Sequence, residues 1–285
     1  MDYAELFQVK PGSKVRLDKI DPYFAARYEN KAASEPKLEK YTQKLRDLQY
    51  LLYAEGRRSL LICLQGMDTS GKDGSINHVL GAMNPQGARV HGFKAPSREE
   101  AAHDFLWRIE QRTPAKGEVA IFNRSHYEDV LVVRIHKLVP DKVWSKRYDL
   151  INAFEKNLTA NGTHILKFFL HISKDEQLRR FKQRLDDPQS HWKISEADYE
   201  ERKFWKDYQE AYQDALSQTS TKHAPWFVIP ANHKWFRNLA ISRIVTESLE
   251  SLGMKFPEPT VKIKDIKRKY HAAEKEKGSS PRRSF

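Results

Sequence analysis

The chain has 285 residues, of which 39% are apolar and 11% aromatic, so it can bury a substantial core and is not a disordered protein. Its 50 Lys and Arg against 38 Asp and Glu give a net charge of +12. This charge favours a polyanionic partner, which is nucleic acid, an anionic membrane or a chain of phosphates. Charge alone does not choose among these, and a basic surface without a function remains open.

The cysteine content and the apolar runs exclude two further classes. Cys63 is the single cysteine, which excludes an intramolecular disulfide and a cysteine zinc cluster. No stretch of 18 or more apolar residues occurs, and residues 1–5 lack the basic and then apolar pattern of a secretory signal. We therefore expect a cytoplasmic protein without a membrane partner.

Five apolar runs alternate with helical patterns along the chain. The predicted strands are residues 59–64, 88–94, 118–123, 164–172 and 226–230. The predicted helices are residues 41–56, 75–83, 97–113, 141–159, 173–185, 195–216 and 235–252. This alternation predicts an α/β domain over residues 41–257, with a mainly parallel five-stranded sheet between helices.

The two ends of the chain differ from this domain in composition. Residues 1–40 are polar and are broken by proline and glycine, which indicates an extended N-terminal arm. Residues 258–285 are basic, and the sequence predicts a flexible tail there. Whether this tail binds a polyanion or is simply solvated remains open.

The first predicted strand ends at a glycine-rich loop. Gly66 and the pair Gly71 and Lys72 have the GxxxxGK spacing of a phosphate-binding loop. Glycine lets backbone N–H groups close around phosphate oxygens, and the following helix directs its positive end at the same point. Lys72 adds a full charge. A tight turn between a strand and a helix can contain the same glycines, so that alternative remains open.

Two acids distinguish this loop from the usual pattern. Asp73 stands where Ser or Thr would hold Mg²⁺. Asp68 lies inside the loop, where a carboxylate is unfavourable unless a cation bridges it to the phosphates. We interpret Asp68 as a metal ligand.

Other polar residues follow the second and third strands. In a parallel α/β sheet, ligands bind at the carboxyl ends of the strands, and these ends carry Lys94 and the cluster 123–129. An acid is expected at position 123, but the residue is Asn123, which cannot neutralise a cation. Glu128 and Asp129 can supply the missing charge. They can also be ordinary acids at a helix N-terminus.

Residues 179–205 have the composition of a basic helical lid. Arg180 and Arg184 are four residues apart and share a helical face, and Trp192 and Lys193 follow an Asp-Asp-Pro break. Such a lid would close over phosphates and exclude water during transfer. A solvated basic helix has the same composition, so both interpretations remain open.

Four blocks of the sequence resemble the polyphosphate kinase 2 family, whose members have a thymidylate-kinase-like P-loop kinase fold. Residues 66–74 are similar to that family's own phosphate loop, in which Asp follows the Lys. Residues 93–97, 121–129 and 184–195 are similar to its other blocks, and the resemblance covers residues 8–257. Several blocks in the right order are far more specific than one loop.

The resemblance implies transfer of the terminal phosphoryl group of inorganic polyphosphate to a nucleotide, with Mg²⁺, or Mn²⁺ in its place, as the metal. Some family members have Asp at position 123, and some have Asn at position 128. The sequence from Tyr127 to Asp129 is similar to the subgroup that accepts both AMP and ADP, giving ADP and ATP.

The resemblance also implies roles for individual residues. The expected catalytic residues are Asp68, Lys72, Arg124 and Glu128, and the expected metal ligands are Asp68, Glu128 and Asp129. The expected contacts to polyphosphate are Gly66, Ser70, Gly71, Lys72, Asp73, Gly74, Arg180, Arg184 and Lys193. The expected contacts to the nucleotide are Lys94, Asn123, Asp129 and Arg134. No general base is expected, because the attacking phosphate oxygen is already ionised.

Two other functions remain open. An ATP-dependent nucleoside monophosphate kinase of the same fold would use the donor channel as a second nucleotide site. A non-catalytic basic P-loop protein would bind nucleic acid in a salt-sensitive way, but the sequence contains no motif that reads nucleic acid, and we expect no specific nucleic-acid partner. The N-terminal arm and aromatic residues such as Trp144 and Trp235 suit a subunit contact, so we expect a homo-oligomer.

Overall fold

The computed structural model describes residues 2–26, 28 and 30–279. The chain divides into two compact units, Met1–Met254 and Lys255–Phe285. Within the described residues, every helix is too short or too polar to cross a bilayer.

The larger unit is built on a five-stranded sheet. Its strands are β1 (Ser59–Gln65), β2 (Ala88–Gly92), β3 (Val119–Asn123), β4 (Thr163–His171) and β5 (Trp226–Pro230). Their order across the sheet is β2-β3-β1-β4-β5, and all neighbouring pairs are parallel. β1 is central, and all seven of its residues are buried, as expected of a parallel strand covered on both faces. The predicted fold class is confirmed.

Alternate residues of β1 enter two different hydrophobic clusters. Leu60, Ile62 and Leu64 belong to the larger cluster, whereas Leu61 and Cys63 belong to the smaller one. Because successive side chains of a strand point to opposite faces, the two clusters lie on opposite sides of the sheet. Burial of these apolar side chains on both faces stabilises the fold.

Helices connect the strands and cover the sheet. In the larger unit they are α1 (Tyr3–Phe7), α2 (Lys31–Glu55), α3 (Lys72–His78), α4 (Arg98–Ala102), α5 (Trp107–Glu110), α6 (Glu128–Ile135), α7 (Asp141–Trp144), α8 (Arg147–Ala160), α9 (Lys174–Asp186), α10 (Glu196–Lys203), α11 (Trp205–Thr219) and α12 (Lys234–Ser251). Short 3₁₀ helices span Leu17–Lys19, Leu80–Ala82 and Pro188–Lys193. The smaller unit contains α13 (Ile263–Ser279).

Several helices differ from the sequence predictions. α2 begins at Lys31 rather than at residue 41, because the Asn30 side chain caps it by accepting a hydrogen bond from the Ala33 amide at 3.0 Å. Pro36 is accommodated inside this helix. The predicted helices over residues 97–113, 141–159 and 195–216 are each divided into two shorter helices.

Three helices were not predicted. α1 lies in the predicted extended arm, where the Asp2 side chain caps it by accepting hydrogen bonds from the Ala4 and Glu5 amides. α6 has eight residues, which is too short to show a clear helical period. α13 lies in the tail for which the sequence predicts flexibility, and the last part of that prediction, residues 280–285, falls outside the described residues.

A buried ionic network fixes the segment between β3 and α6. The side chains of Lys167 and Glu155 are fully buried, with Nζ 2.6 Å from Oε2. Lys167 Nζ also donates to the Tyr127 hydroxyl at 2.9 Å and to the Thr219 carbonyl at 2.7 Å. The Tyr127 hydroxyl donates to Glu155 Oε1 at 2.8 Å, and His126 Nε2 lies 3.2 Å from the same oxygen. The loop at the carboxyl end of β3 is thereby tied to α8 and β4.

Candidate active site

The glycine-rich loop lies between β1 and α3 at the carboxyl edge of the sheet. Gly66 has a φ of +150°, and a Cβ at this position would lie 2.7 Å from Ser70 Oγ and 2.8 Å from the Leu170 carbonyl, so only glycine fits. Lys72 opens α3 and donates from Nζ to the Gly66 carbonyl at 2.7 Å. Burial lowers the pKa of Lys72, and the charge of Asp68 opposes that shift. The loop therefore closes around its own lysine.

Arg180 on α9 is hydrogen-bonded to the backbone of the phosphate loop. Its Nη1 donates to the carbonyls of Thr69 at 2.7 Å and Ser70 at 2.9 Å. Its guanidinium also forms an ion pair with Glu176. The predicted lid residue Arg180 is therefore fixed to the loop in this structure.

Asn123 and Asp73 join the end of β3 to the loop. Asn123 Nδ2 donates to Asp73 Oδ1 at 2.7 Å. Both residues stand where the sequence departs from the usual P-loop pattern, and the structure places them in direct contact.

Arg124 lies next to two carboxylates, those of Asp68 and Glu128. Arg124 Nη2 lies 3.2 Å from Asp68 Oδ1. Burial lowers the pKa of Arg124, but the carboxylates of Glu128 and Asp68 more than offset it, so the net shift is upward. Burial raises the pKa of Glu128, and the charges of Arg124 and Lys72 oppose this. Arg124 has a φ of +64°, a strained conformation that is common at functional sites.

A cavity of about 1550 Å³ opens above the loop. Eleven residues with predicted site roles line it: Asp68, Gly71, Lys72, Asp73, Gly74, Lys94, Asn123, Arg124, Arg180, Arg184 and Lys193. Gly66 and Ser70 belong to the loop beneath them, and Glu128 opens α6 beside Arg124. The structure thus brings most of the predicted residues together around one space, which is large enough for a nucleotide and several phosphates.

Asp129 and Arg134 have partners away from this cavity. Asp129 Oδ1 lies 3.0 Å from Arg147 Nη1, and its Oδ2 lies 3.7 Å from Arg108 Nη2. Arg134 forms a 2.7 Å ion pair with Asp214 and lies over the ring of Trp144 at 4.8 Å. The structure therefore does not bring Asp129 or Arg134 to the predicted nucleotide site, because these ion pairs hold them elsewhere.

The predicted lid contributes both charge and an aromatic surface. Arg184 Nη1 lies 3.2 Å from Asp198 Oδ2 and donates to the Lys193 carbonyl. Lys193 Nζ lies 4.9 Å from the centre of the Trp192 ring, and Trp192 is 79% exposed. All of these side chains line the cavity.

The carboxylates fit Mg²⁺ only when phosphates supply most of its ligands. Among the described residues, no three His, Cys, Asp or Glu side chains lie close enough together to hold a metal ion. The predicted set of Asp68, Glu128 and Asp129 is not assembled, because Asp129 faces two arginines. Mg²⁺ in phosphoryl-transfer sites is usually bound by one or two carboxylates together with water and substrate phosphates. The Asp68 carboxylate at the cavity wall suits that arrangement.

The sequence analysis missed two basic residues of the cavity wall. Lys234 and Arg237 extend from the first turns of α12 into the lining. The only sequence signal for them is a pair of basic residues three apart at the start of the last predicted helix. That pattern is too common to indicate a site by itself.

Comparisons with known proteins agree with this geometry. Residues 28–257 match the family model of polyphosphate kinase 2. The AMP/ADP-polyphosphate phosphotransferase of Meiothermus ruber is 50% identical over 254 residues, which is 89% of this chain and 95% of that protein. The ADP-polyphosphate phosphotransferase of Rhodopseudomonas palustris is 46% identical over 270 residues, 89% of this chain and 92% of that protein. The crystal structure of polyphosphate kinase 2 from Arthrobacter aurescens TC1 gives a TM-score of 0.92 at 43% identity, covering 95% of this chain and 97% of that one.

Proposed function

The chain belongs to the polyphosphate kinase 2 family and is therefore a polyphosphate-dependent phosphotransferase, and we propose that it accepts both AMP and ADP, giving ADP and ATP. The relative from Meiothermus ruber is named for both acceptors, and that from Rhodopseudomonas palustris for ADP alone. The names of these relatives thus differ in whether AMP is an acceptor. The Tyr127-Glu128-Asp129 sequence of this chain supports the use of AMP as well as ADP.

The observation that supports phosphoryl transfer at this site is the arrangement around Lys72. The phosphate loop closes on this lysine, Asp68 and Arg124 lie beside it, and Lys94 and Arg184 face the same cavity. Phosphoryl transfer depends on positioning and on charge neutralisation more than on covalent chemistry by the protein. The phosphate loop would position the reacting phosphates, and the cations that line the cavity would neutralise their charge.

In the proposed reaction, an oxygen of the acceptor phosphate attacks the terminal phosphorus of polyphosphate. A new P–O bond forms, the bridging P–O bond to the donor chain breaks, and the shortened chain leaves with that oxygen. No proton needs to be removed, because the attacking oxygen is ionised at neutral pH. Lys72 and Arg124 would stabilise negative charge on the transferred group.

The remaining roles follow from placement in the cavity. Asp68, which lines the cavity, would hold Mg²⁺, and Mn²⁺ would substitute. Glu128, which lies beside Arg124 at the start of α6 and outside the lining, would be the second carboxylate. When bound, the metal would supply positive charge that offsets the negative charge of the phosphates. Lys94 and Asn123 would contact the acceptor nucleotide, and Arg184 and Lys193 would contact the donor chain. A homo-oligomeric state and a cytoplasmic location stay predictions.

The test is an assay of the pure protein with Mg²⁺ and long-chain polyphosphate, offered AMP or ADP separately and without ATP, with products resolved by chromatography. We expect AMP to give ADP and then ATP. Use of ADP alone would contradict the proposed range of acceptors while leaving the donor intact. A reaction that requires ATP would favour a nucleoside monophosphate kinase.

A further inference from the structure

Arg108 on α5 connects the loop that follows β2 to the start of α6. Its Nη1 donates to the Lys94 carbonyl at 2.8 Å, and its Nη2 lies 3.7 Å from Asp129 Oδ2. The Arg108 side chain is only 8% exposed. Burying a guanidinium is unfavourable unless the protein supplies partners for it, and well-packed apolar side chains often stabilise a core as well as a buried ion pair does. Packing alone therefore does not account for an arginine at this position.

The β2–α4 loop, residues 93–97, brings Lys94 to the cavity. Apart from Phe93, its residues are exposed and have neither helical nor strand structure. The Phe93 amide donates to the Asn123 carbonyl at 3.2 Å, at the end of β3. The next carbonyl, that of Lys94, accepts from Arg108, whose guanidinium also lies 5.7 Å from the centre of the Phe93 ring. Arg108 therefore fixes the backbone from which the Lys94 side chain extends.

Arg108 also acts on the far end of the β2–α4 loop, through Glu100. Glu100 Oε2 lies 3.7 Å from Arg108 Nη1. The same oxygen accepts from the Ser97 amide at 2.7 Å, within the capping box that begins α4. One guanidinium therefore holds the loop at both ends, at Lys94 by a direct hydrogen bond and at Ser97 by way of a carboxylate.

Asp129 holds Arg108 in place from the first turn of α6. The Asp129 carbonyl and its Oδ1 accept from Arg147 Nη1 at 2.9 and 3.0 Å. Its Oδ2 is buried and, among the described residues, has no hydrogen-bond partner, so the Arg108 charge 3.7 Å away compensates it. Burial raises the pKa of Asp129, and the charges of Arg147 and Arg108 oppose that shift. The contact between Asp129 and Arg108 thus joins the β2–α4 loop to the helix that begins at Glu128.

We propose that Arg108 and Asp129 are positioning residues for the acceptor nucleotide. Asp129 holds the Arg108 guanidinium, and Arg108 sets the backbone that directs Lys94 to the acceptor. This inference rests on the proposed function, in which Lys94 contacts the nucleotide. Neither Arg108 nor Asp129 touches the nucleotide or the metal. Asp129, which the sequence predicts as a ligand of both, acts on the acceptor only through Arg108 and Lys94.

The test uses Arg108→Met, Asp129→Asn and Lys94→Met in the full-length protein, and the double variant Arg108→Met/Lys94→Met. Arg89→Met is the matched control, because Arg89 lies on β2 just before the same loop and forms an ion pair with Glu118 at the surface. We measure kcat, KM for ADP and for polyphosphate, and the Mg²⁺ concentration that gives half the maximal rate. We also measure the rise in Tm on adding ADP, which reports nucleotide binding without any donor.

Loss of a charge-assisted hydrogen bond predicts that Arg108→Met raises KM for ADP by about tenfold, with KM for polyphosphate within about twofold. Asp129→Asn should raise KM for ADP by a smaller factor and leave the Mg²⁺ dependence unchanged, whereas loss of a metal ligand would shift it. Because Arg108 acts through Lys94, the double variant should have a KM for ADP within about twofold of that of Lys94→Met. The ADP-induced rise in Tm should shrink in Arg108→Met and Lys94→Met, and should persist in Arg89→Met.

A second arginine variant keeps the inference testable if Arg108→Met does not fold. Arg108→Lys keeps the charge but lacks the planar fork of donors. It should therefore retain the fold and still raise KM for ADP, by a smaller factor than Arg108→Met. Asp129→Asn is read out in the same way.

Three outcomes would overturn the inference. The first is an unchanged KM for ADP and an unchanged Tm rise in the folded Arg108 variants. The second is a double variant in which the effects of Arg108→Met and Lys94→Met multiply, and the third is a changed Mg²⁺ dependence in Asp129→Asn. If the wild-type protein transfers no phosphate from polyphosphate, it is the proposed function that fails, and the ADP-induced rise in Tm still tests the role of Arg108 separately.

Discussion

Asn123 donates a hydrogen bond to Asp73 across 2.7 Å, from the end of β3 to the first turn of α3. In the usual P-loop pattern these positions would hold an acid and a hydroxyl residue, respectively. Here Asn123 occupies the strand position and Asp73 the helix position, so the negative charge is on the helix rather than on the strand. The hydrogen bond therefore couples the two positions in this chain.

This coupling predicts the effect of an added charge. Asn123→Asp would place two carboxylates in contact, which raises the pKa of one of them and repels the phosphates. We expect kcat/KM to fall by about tenfold or more in Asn123→Asp. The double variant Asp73→Asn/Asn123→Asp restores one acid and one amide, so it should recover much of that loss. Steady-state kinetics of the wild type, both single variants and the double variant measure the coupling energy; equal losses in Asn123→Asp and the double variant would refute it.

Lys72 and Asp68 should be essential to turnover but not to folding. Removal of a preorganised charge at the transferred group predicts that Lys72→Ala and Asp68→Asn lower kcat by about 100- to 1000-fold. Lys206→Ala is the control, because that side chain is 90% exposed. Rates are measured alongside circular dichroism and Tm. Turnover near the wild-type rate in well-folded Lys72→Ala would show that the loop is not the reaction site.

The buried pair of Lys167 and Glu155 predicts a stability effect. Lys167→Met leaves the Glu155 carboxylate buried without its cation, which should lower the free energy of unfolding by about 3–5 kcal/mol. Lys167→Met/Glu155→Gln removes both charges and should be clearly less destabilised. Urea unfolding of the two variants decides this. A double variant as unstable as the single variant would mean that the charge pairing is not what stabilises the loop after β3.

The pair of Lys167 and Glu155 also predicts how the free energy of unfolding depends on pH. Burial raises the pKa of Glu155, but Lys167 and His126 more than offset this, so its pKa in the folded protein lies below the ordinary 4.5. The unfolded chain then takes up a proton first as the pH falls, so this contribution to stability is present above pH 4.5 and is lost below it. Urea midpoints measured from about pH 6 to about pH 3 should fall less steeply in Lys167→Met/Glu155→Gln than in the wild type. If the urea midpoints of the two proteins fall equally with pH, Glu155 does not have a lowered pKa in the folded protein.

The strands and the phosphate loop could be predicted from sequence because their signals are local. An apolar run such as Leu60 to Leu64 indicates a buried parallel strand, and glycine spacing marks the loop that follows it. Ligands collect at the carboxyl ends of parallel strands, and this rule is sufficient to bring Asp68, Lys94 and Arg124 into one predicted site.

Long-range partners could not be predicted in this way. Asp129 directly follows Glu128, yet its partner Arg147 lies 18 residues further along the chain, and only the packing of α6 against α8 reveals the pair. Arg237 is more remote still from the phosphate loop, where its Nη1 donates to the Ser70 carbonyl at 3.4 Å. Local patterns show which residue types are available, whereas the tertiary structure decides which of them meet.

The most direct test of the central claim is a comparison of phosphoryl donors. The pure protein with Mg²⁺ and AMP is given either long-chain polyphosphate or ATP, and ADP formation is followed by chromatography. The account predicts rapid ADP formation with polyphosphate alone, and its loss in Lys72→Ala. ADP formation from ATP but not from polyphosphate would contradict the account and would identify the cavity as a second nucleotide site.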